Sequence, residues 1–301
     1  MKYQLRKRTV CHAKTDIILQ EIQQILTNYK QAGIHQTTVR NIYYKLLGKG
    51  LLTRKNTKKT PDNKYEQASE IITKGKYWGV LDWDAIVDTS RPTYMNTFFA
   101  DIPDGIQYLS KKYQLDRWEN QFCYVELFTE KDTLTTQLLP ISKKYQVRYT
   151  VNRGNTSSTN IYETVNRFRT AHDQNKTCVA LYLGDYDPSG MRMSEQDFPD
   201  RLQEFNVEFI SERISLTMQQ IKKYNLAKYG LPLNMKDSNA RWYQQHCNQE
   251  FGWEIDALDS VVLRDIVEVA IQKYLDIESY NTILKQEAEH KVKILDMIDT
   301  V

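Results

Sequence analysis

The sequence predicts an α/β protein in which a small basic helical module precedes a mainly parallel sheet flanked by helices. Three observations carry that expectation. From residue 122 onward, apolar runs of strand length alternate with helical patterns, the arrangement expected of a parallel sheet. Before residue 77, the apolar positions keep to helical spacing. Charge divides at the same place: residues 1–76 hold 16 basic and 5 acidic side chains (+11), and residues 77–301 hold 25 basic and 33 acidic (−8). The net charge of +3 over 301 residues conceals this split. A basic module suits a polyanionic partner, and an acidic one can concentrate carboxylates around cations. A solvated surface is the simpler alternative.

In the first module, Thr15-Asp16 precede a helical stripe at Ile18, Ile22, Ile25 and Tyr29, which Gly33 interrupts. Thr37 is expected to cap a second helix with apolar positions Val39, Ile42, Tyr43 and Leu46, and Gly48-Lys49-Gly50 ends it. Leu51-Leu52-Thr53 can start a wing strand, a lysine-rich loop follows to Pro61, and Tyr65, Ala68 and Ile72 mark a third helix. Helix, helix, wing and helix describe a winged-helix domain over 1–76. Residues 77–118 show no sustained period and are assigned as a connector.

The second domain, 119–301, starts with an apolar strand from Phe122 through Phe128. A helix follows Glu130, then a strand at Gln146–Val151, a turn at Gly154–Thr159 and a helix near Ile161–Ala171. The strand Cys178–Leu183 runs into Gly184-Asp185-Tyr186-Asp187-Pro188-Ser189-Gly190, followed by a helix and a strand at Val207–Ile210. A C-terminal helix carries Ile283, Leu284, Val292, Leu295 and Ile298. In such sheets the functional crevice lies at the carboxyl ends of the strands, where Glu130, Gly154–Ser158, Asp185 and Asp187 fall.

Cys11, Cys123, Cys178 and Cys247 are dispersed, without CxxC or zinc-like spacing, which fits a reducing compartment. The start, MKYQLRKRTV, lacks an apolar signal segment, and no run of apolar residues is long enough to span a bilayer. A cytoplasmic protein without membrane association is expected.

Asp185 and Asp187 leave a strand one residue apart, so both can face one ion. Hard divalent cations take carboxylate oxygens and engage phosphates at the same time. Glu130, at the end of a neighbouring strand, can be a further ligand or a general acid/base. The plain alternative is a helix-starting turn, with Asp187 as its cap and Asp185 paired to an arginine.

The stretch Tyr124-Val125-Glu126-Leu127-Phe128-Thr129-Glu130-Lys131-Asp132, followed by Leu181-Tyr182-Leu183 and the Gly184–Gly190 turn, resembles a TOPRIM domain. More specifically, it resembles that of the A subunit of type IIB topoisomerases (topoisomerase VI) and of the related meiotic double-strand-break transesterase. The likeness extends forward to the winged helix and on to Trp253-Glu254-Ile255-Asp256-Ala257-Leu258. It implies that Glu130, Asp185 and Asp187 hold magnesium, with manganese able to substitute. The substrate implied is duplex DNA, cut by a homodimer in which one subunit's tyrosine works with the other's metal site. A separate ATPase subunit is also implied, since this chain contains no P-loop.

That family cuts DNA with a tyrosine in a winged-helix motif that Arg40-Asn41-Ile42-Tyr43-Tyr44 matches, and the resemblance designates Tyr44 as nucleophile; the plain alternative is that Tyr44 packs beside Leu47 or contacts a phosphate. Helical geometry puts Tyr43 on the Val39/Ile42/Leu46 stripe and rotates Tyr44 off it. Arg40 lies one turn before Tyr44, where it can stabilise a phenolate or clamp a phosphate. Lys55, Lys58, Lys59, Lys64, Lys74 and Lys76 suit contacts to a DNA backbone. The chain also resembles stand-alone bacterial and phage winged-helix/TOPRIM proteins and the nuclease subunit of a plasmid-defence complex. In those relatives metal-activated water replaces the tyrosine, so hydrolysis is the alternative. An inert DNA-binding regulator is the third reading. The roles of Glu254, Asp256 and Asp259 are open.

Overall fold

The computed structural model describes residues 13–52, 64–87, 96–152 and 158–300. The N-terminal module contains α1 (Ala13–Gln31), α2 (Val39–Gly48) and α3 (Lys64–Tyr77). The expected stripe of α1 is buried, with Leu19 added to it. Thr38, not Thr37, caps α2 by accepting the Asn41 N–H. Thr37 is instead buried and bridges to Ile86. In α3 the core positions are Ala68, Ile71 and Ile72, while Tyr65 faces outward. Leu51 and Leu52 form a bend, and Thr53–Asn63, where the wing is expected, lie outside the described residues.

Residues 77–118 are more than a connector, because α4 (Ile102–Lys112) forms inside them. The signal for it is local: the Asp101 side chain accepts the Asp104 N–H, and Pro103 occupies the first turn, where its missing N–H costs nothing. Aromatic residues on both sides mask that start. After α4, Arg117 and Trp118 are buried in the second domain's core, and Trp118 Nε1 donates to Tyr145 O over 2.6 Å.

The second domain continues with β1 (Cys123–Thr129), α5 (Thr135–Tyr145), β2 (Arg148–Val151), α6 (Ser158–Asp173), β3 (Thr177–Leu183), and the short α7 (Pro188–Arg192) and α8 (Phe198–Gln203). There follow β4 (Ile210–Ser215), α9 (Met218–Lys223), β5 (Leu231–Pro232), α10 (Ala240–Cys247), β6 (Phe251–Gly252), α11 (Ser260–Gln272) and α12 (Ile277–Asp296). The strand expected at Val207–Ile210 thus begins where that window ends. The polar sequence Ser211-Glu212-Arg213 hides it from an apolar-run search, because β4 is an outer strand.

Four parallel strands lie in the order β2-β1-β3-β4. The two central strands are apolar and buried on both faces, as a sheet covered by helices requires. Val125, Leu127, Val179, Leu181 and Leu183 share one core cluster with α5 and α11. Phe128, Cys178, Ala180 and Tyr182 share the other with α6 and α8. The α1–α3 core is a third cluster, and Tyr229, Ala257 and Val261 of the second domain pack against it. Among the described residues, no helix is long and apolar enough to cross a membrane.

Candidate functional site

Strand register brings the expected carboxylates together. Thr129 of β1 pairs with Leu183 of β3, so the next residues, Glu130 and Gly184, leave the sheet side by side. Glu130 Oε1 then accepts the Asp185 N–H over 3.2 Å. Asp185 Oδ1 accepts the Ile255 N–H over 2.8 Å, and Oδ2 lies 2.8 Å from Lys131 Nζ. Asp187 Oδ1 accepts the Gly190 N–H over 2.8 Å and caps α7. The cap of the plain alternative is therefore present, but the cation paired with Asp185 is a lysine.

Gly190 is required by close approach. A Cβ there would collide with the Asp185 carbonyl oxygen and come within 2.9 Å of Glu130 Oε1. Burial drives all three acids upward. The Asp185 carboxyl is pushed up to about 7 despite Lys131. Glu130 and Asp187 move in the same direction, with burial the main cause.

Two cationic side chains absent from the expected site organise it. Lys131 Nζ sits 2.8 Å from both Asp185 Oδ2 and Asp256 Oδ2, and 3.9 Å from Glu254 Oε2. Burial alone would lower its pKa, but these three carboxylates raise it above the ordinary lysine value, so it is charged. Arg213, partly buried, donates to Gly184 O over 2.8 Å, Leu216 O over 3.0 Å and Gly190 O over 3.2 Å, and also to Asp185 O. It ties the turn after β3 to the end of β4. Lys131 belongs to the Tyr124–Asp132 stretch but has no periodic signal of its own. Arg213 is visible in the sequence only as one charge in an outer strand.

Glu254 and Asp256 arrive through a backbone bridge. Tyr186 and Trp253 exchange N–H···O bonds of 2.8 Å each way, which sets the 253–256 segment against the turn after β3. Asp259 lies further along and caps α11 while pairing with Lys45.

The same segment receives α2. Tyr44 Oη donates to Glu254 Oε2 over 2.8 Å, and Arg40 Nε donates to that oxygen over 3.0 Å. Arg40 is also 3.5 Å from Asp256 Oδ2. Tyr44 is not rotated clear of the core, contrary to the helical-wheel reading. It is as buried as Tyr43, at 4% exposure each, because the second domain covers the face of α2 that would otherwise meet solvent. Its ring stands edge-on to Tyr43 and Tyr229. A cavity of about 330 Å³ adjoins it, lined also by Lys45, Lys49 and Lys228.

The donor chemistry fits a hard divalent cation. Glu130, Asp185, Asp187, Glu254 and Asp256 supply oxygen only, and these five carboxylates outnumber the nearby cations Lys131, Arg40 and Arg213. The buried Tyr182 hydroxyl, whose proton affinity is raised by burial and then by Glu130, has no hydrogen-bond partner among the described residues. No three His, Cys, Asp or Glu side chains among the described residues form a ready-made cage.

Of the expected DNA-contacting lysines, Lys55, Lys58 and Lys59 lie outside the described residues, as do residues 153–157 of the Gly/Ser/Thr turn. Lys64 opens α3. Lys74 is exposed and 3.8 Å from Glu70. Lys76 turns inward, donates to the Ile86 carbonyl and lies over the Trp83 ring, so it anchors residues 83–86 and does not face a polyanion. Compared with known proteins, the chain matches no family model, no curated protein and no solved structure.

Proposed function

We propose that this chain cleaves DNA at a magnesium-dependent TOPRIM site, in the manner of a type IIB topoisomerase A subunit. In this reading Glu130, Asp185 and Asp187 hold the ion and Tyr44 is the nucleophile. One observation carries it: the hydrogen bond between Tyr44 and Glu254 joins the motif tyrosine to the polar cluster at the strand ends. Tyr44 and Asp185, both designated by the one resemblance, are linked through Glu254 and Lys131.

A bound magnesium ion supplies Lewis-acid polarisation of a phosphodiester. The chain's own residues do the rest. Arg40 offers positive charge to a phosphate, and Lys45, Lys49 and Lys228 line the cavity beside Tyr44, with Lys45 paired to Asp259 and Lys49 to Glu21. The basic N-terminal module, read as a winged helix, supplies non-specific affinity for duplex DNA. A homodimer provides one cutting centre per strand, and a separate ATPase subunit is the implied partner. The resemblance puts the tyrosine opposite a partner's metal site, whereas the Tyr44–Glu254 bond favours assembly within one chain.

Hydrolysis by activated water is the second reading, favoured by the 4% exposure of Tyr44. Incubating the full chain with supercoiled plasmid and magnesium, then denaturing and digesting with protease, tests both. Covalent protein–DNA product, lost in Tyr44→Phe and in Asp185→Ala, supports the proposal. Free nicked or linear DNA that survives Tyr44→Phe supports hydrolysis. Absence of cleavage with magnesium and with manganese overturns both.

A further inference from the structure

We infer that Glu254 is the proton acceptor for the Tyr44 hydroxyl, with Arg40 as the group that orients it. The inference rests on the proposed function, because it takes Tyr44 as the nucleophile. A phenol ionises near pH 10, so at neutral pH the attacking oxygen must lose its proton during the reaction. The hydroxyl already donates to Glu254 Oε2 over 2.8 Å. Arg40 Nε donates to the same oxygen over 3.0 Å, which fixes the carboxylate's orientation. Nucleophile, base and orienting group thus stand in hydrogen-bond contact, the geometry that defines an activated nucleophile.

Two cations stand against the Glu254 carboxylate: Arg40 donates to Oε2, and Lys131 Nζ lies 3.9 Å from the same oxygen. The charged and titratable groups facing it are Arg40 and Tyr44 from α2, Lys131 from the segment after β1, and Asp187 from the turn after β3. Asp256 lies two residues along its own segment, 3.5 Å from Arg40.

In the step, Tyr44 Oη attacks a phosphodiester phosphorus and forms the phosphotyrosyl bond. The phenolic proton passes to Glu254 Oε2, and the bond from phosphorus to one deoxyribose oxygen breaks. That oxygen keeps the bonding pair and takes a proton from solvent. Return of the Glu254 proton to Tyr44 accompanies resealing, so the same residue serves both directions.

The test uses the full chain carrying Glu254→Gln or Glu254→Asp, supercoiled plasmid and magnesium, with covalent product trapped by detergent. Glu254→Gln is expected to slow adduct formation by roughly 10²–10⁴-fold, the range of a general base, with duplex affinity unchanged by gel shift. Glu254→Asp is expected to recover part of the rate. Difluorotyrosine at position 44, whose phenol is more acidic, should restore the Glu254→Gln rate by about tenfold or more; a merely structural Glu254 would give no such rescue. Without metal, fluorine NMR of a fluorotyrosine at position 44 should show its resonance displaced by Glu254→Gln.

Adduct formation by folded Glu254→Gln at the wild-type rate overturns the inference, as does failure of the fluorinated tyrosine to rescue it. If Glu254→Gln fails to melt cooperatively, the same comparison is made with Glu254→Asp, where absence of any rate loss and of rescue is the overturning result. If the wild-type chain cuts without forming an adduct, it is the Tyr44 reading itself that fails.

Discussion

Lys131 holds its ammonium 2.8 Å from Asp185 Oδ2, and the same nitrogen lies 2.8 Å from Asp256 Oδ2. One lysine thus neutralises part of a cluster whose carboxylates outnumber its cations. Removing a partner from a buried ion pair leaves an uncompensated charge and costs about 3–5 kcal/mol. Lys131→Met is therefore expected to lower the melting temperature, and added magnesium to raise it more in the variant than in the wild type. Thermal melts with and without magnesium check this. Equal response of both proteins to magnesium would separate Lys131 from the cation site.

Gly190→Ala tests the packing of the same turn. The added methyl meets the Asp185 carbonyl and Glu130 Oε1, and backbone gives way poorly. A cost of about 1–3 kcal/mol is expected, with plasmid cleavage lost more steeply than stability. Gly105→Ala is the opposite case. It lies inside α4, where the nearest atom to the new methyl is 3.7 Å away on Phe99, so a gain of about 0.5–1 kcal/mol from helix propensity is expected. Urea melts of the two variants should move in opposite directions.

The pair Arg117–Glu287 provides the pH test. Glu287 is 2% exposed and lies 3.0 Å from Arg117 Nη2. Burial alone would push its carboxyl up, but hydrogen bonds from Arg117, Lys291 and the Leu115 N–H outweigh burial and hold it below the ordinary value. A depressed folded pKa gives stability that is present above the unfolded value, about 4.3, and lost as pH falls through the folded value. Glu287→Gln should therefore cost about 3 kcal/mol at neutral pH, and the gap to the wild type should narrow as pH falls below about 4.3, closing only below the depressed folded value. Denaturant melts across pH 3–8 measure this. A constant gap across that range would contradict the pairing.

The parts of the site that follow from strand arithmetic were legible in the sequence. Glu130 and Asp185 end apolar runs, and parallel register brings strand ends together whatever the loops do. The Tyr44–Glu254 bond and the position of Lys131 between Asp185 and Asp256 depend on how the 253–256 segment docks. That docking is set by the Tyr186–Trp253 bridge, which leaves no local periodicity. The helical wheel misplaced Tyr44 for the same reason, since a wheel describes an isolated helix and the second domain covers this one. α4 was hidden because its start, Asp101 and Pro103, sits among aromatic residues without a sustained apolar stripe.

The central claim is that a tyrosine tied to a carboxylate cluster breaks DNA. Its most direct test is mass spectrometry of the wild-type chain after reaction with plasmid and magnesium, nuclease trimming and proteolysis. A nucleotide attached through phosphate to the peptide that contains Tyr44 is expected, and it should be absent with Asp185→Ala. Cut DNA accompanied by an unmodified Tyr44 peptide, or an adduct on another residue, would contradict it.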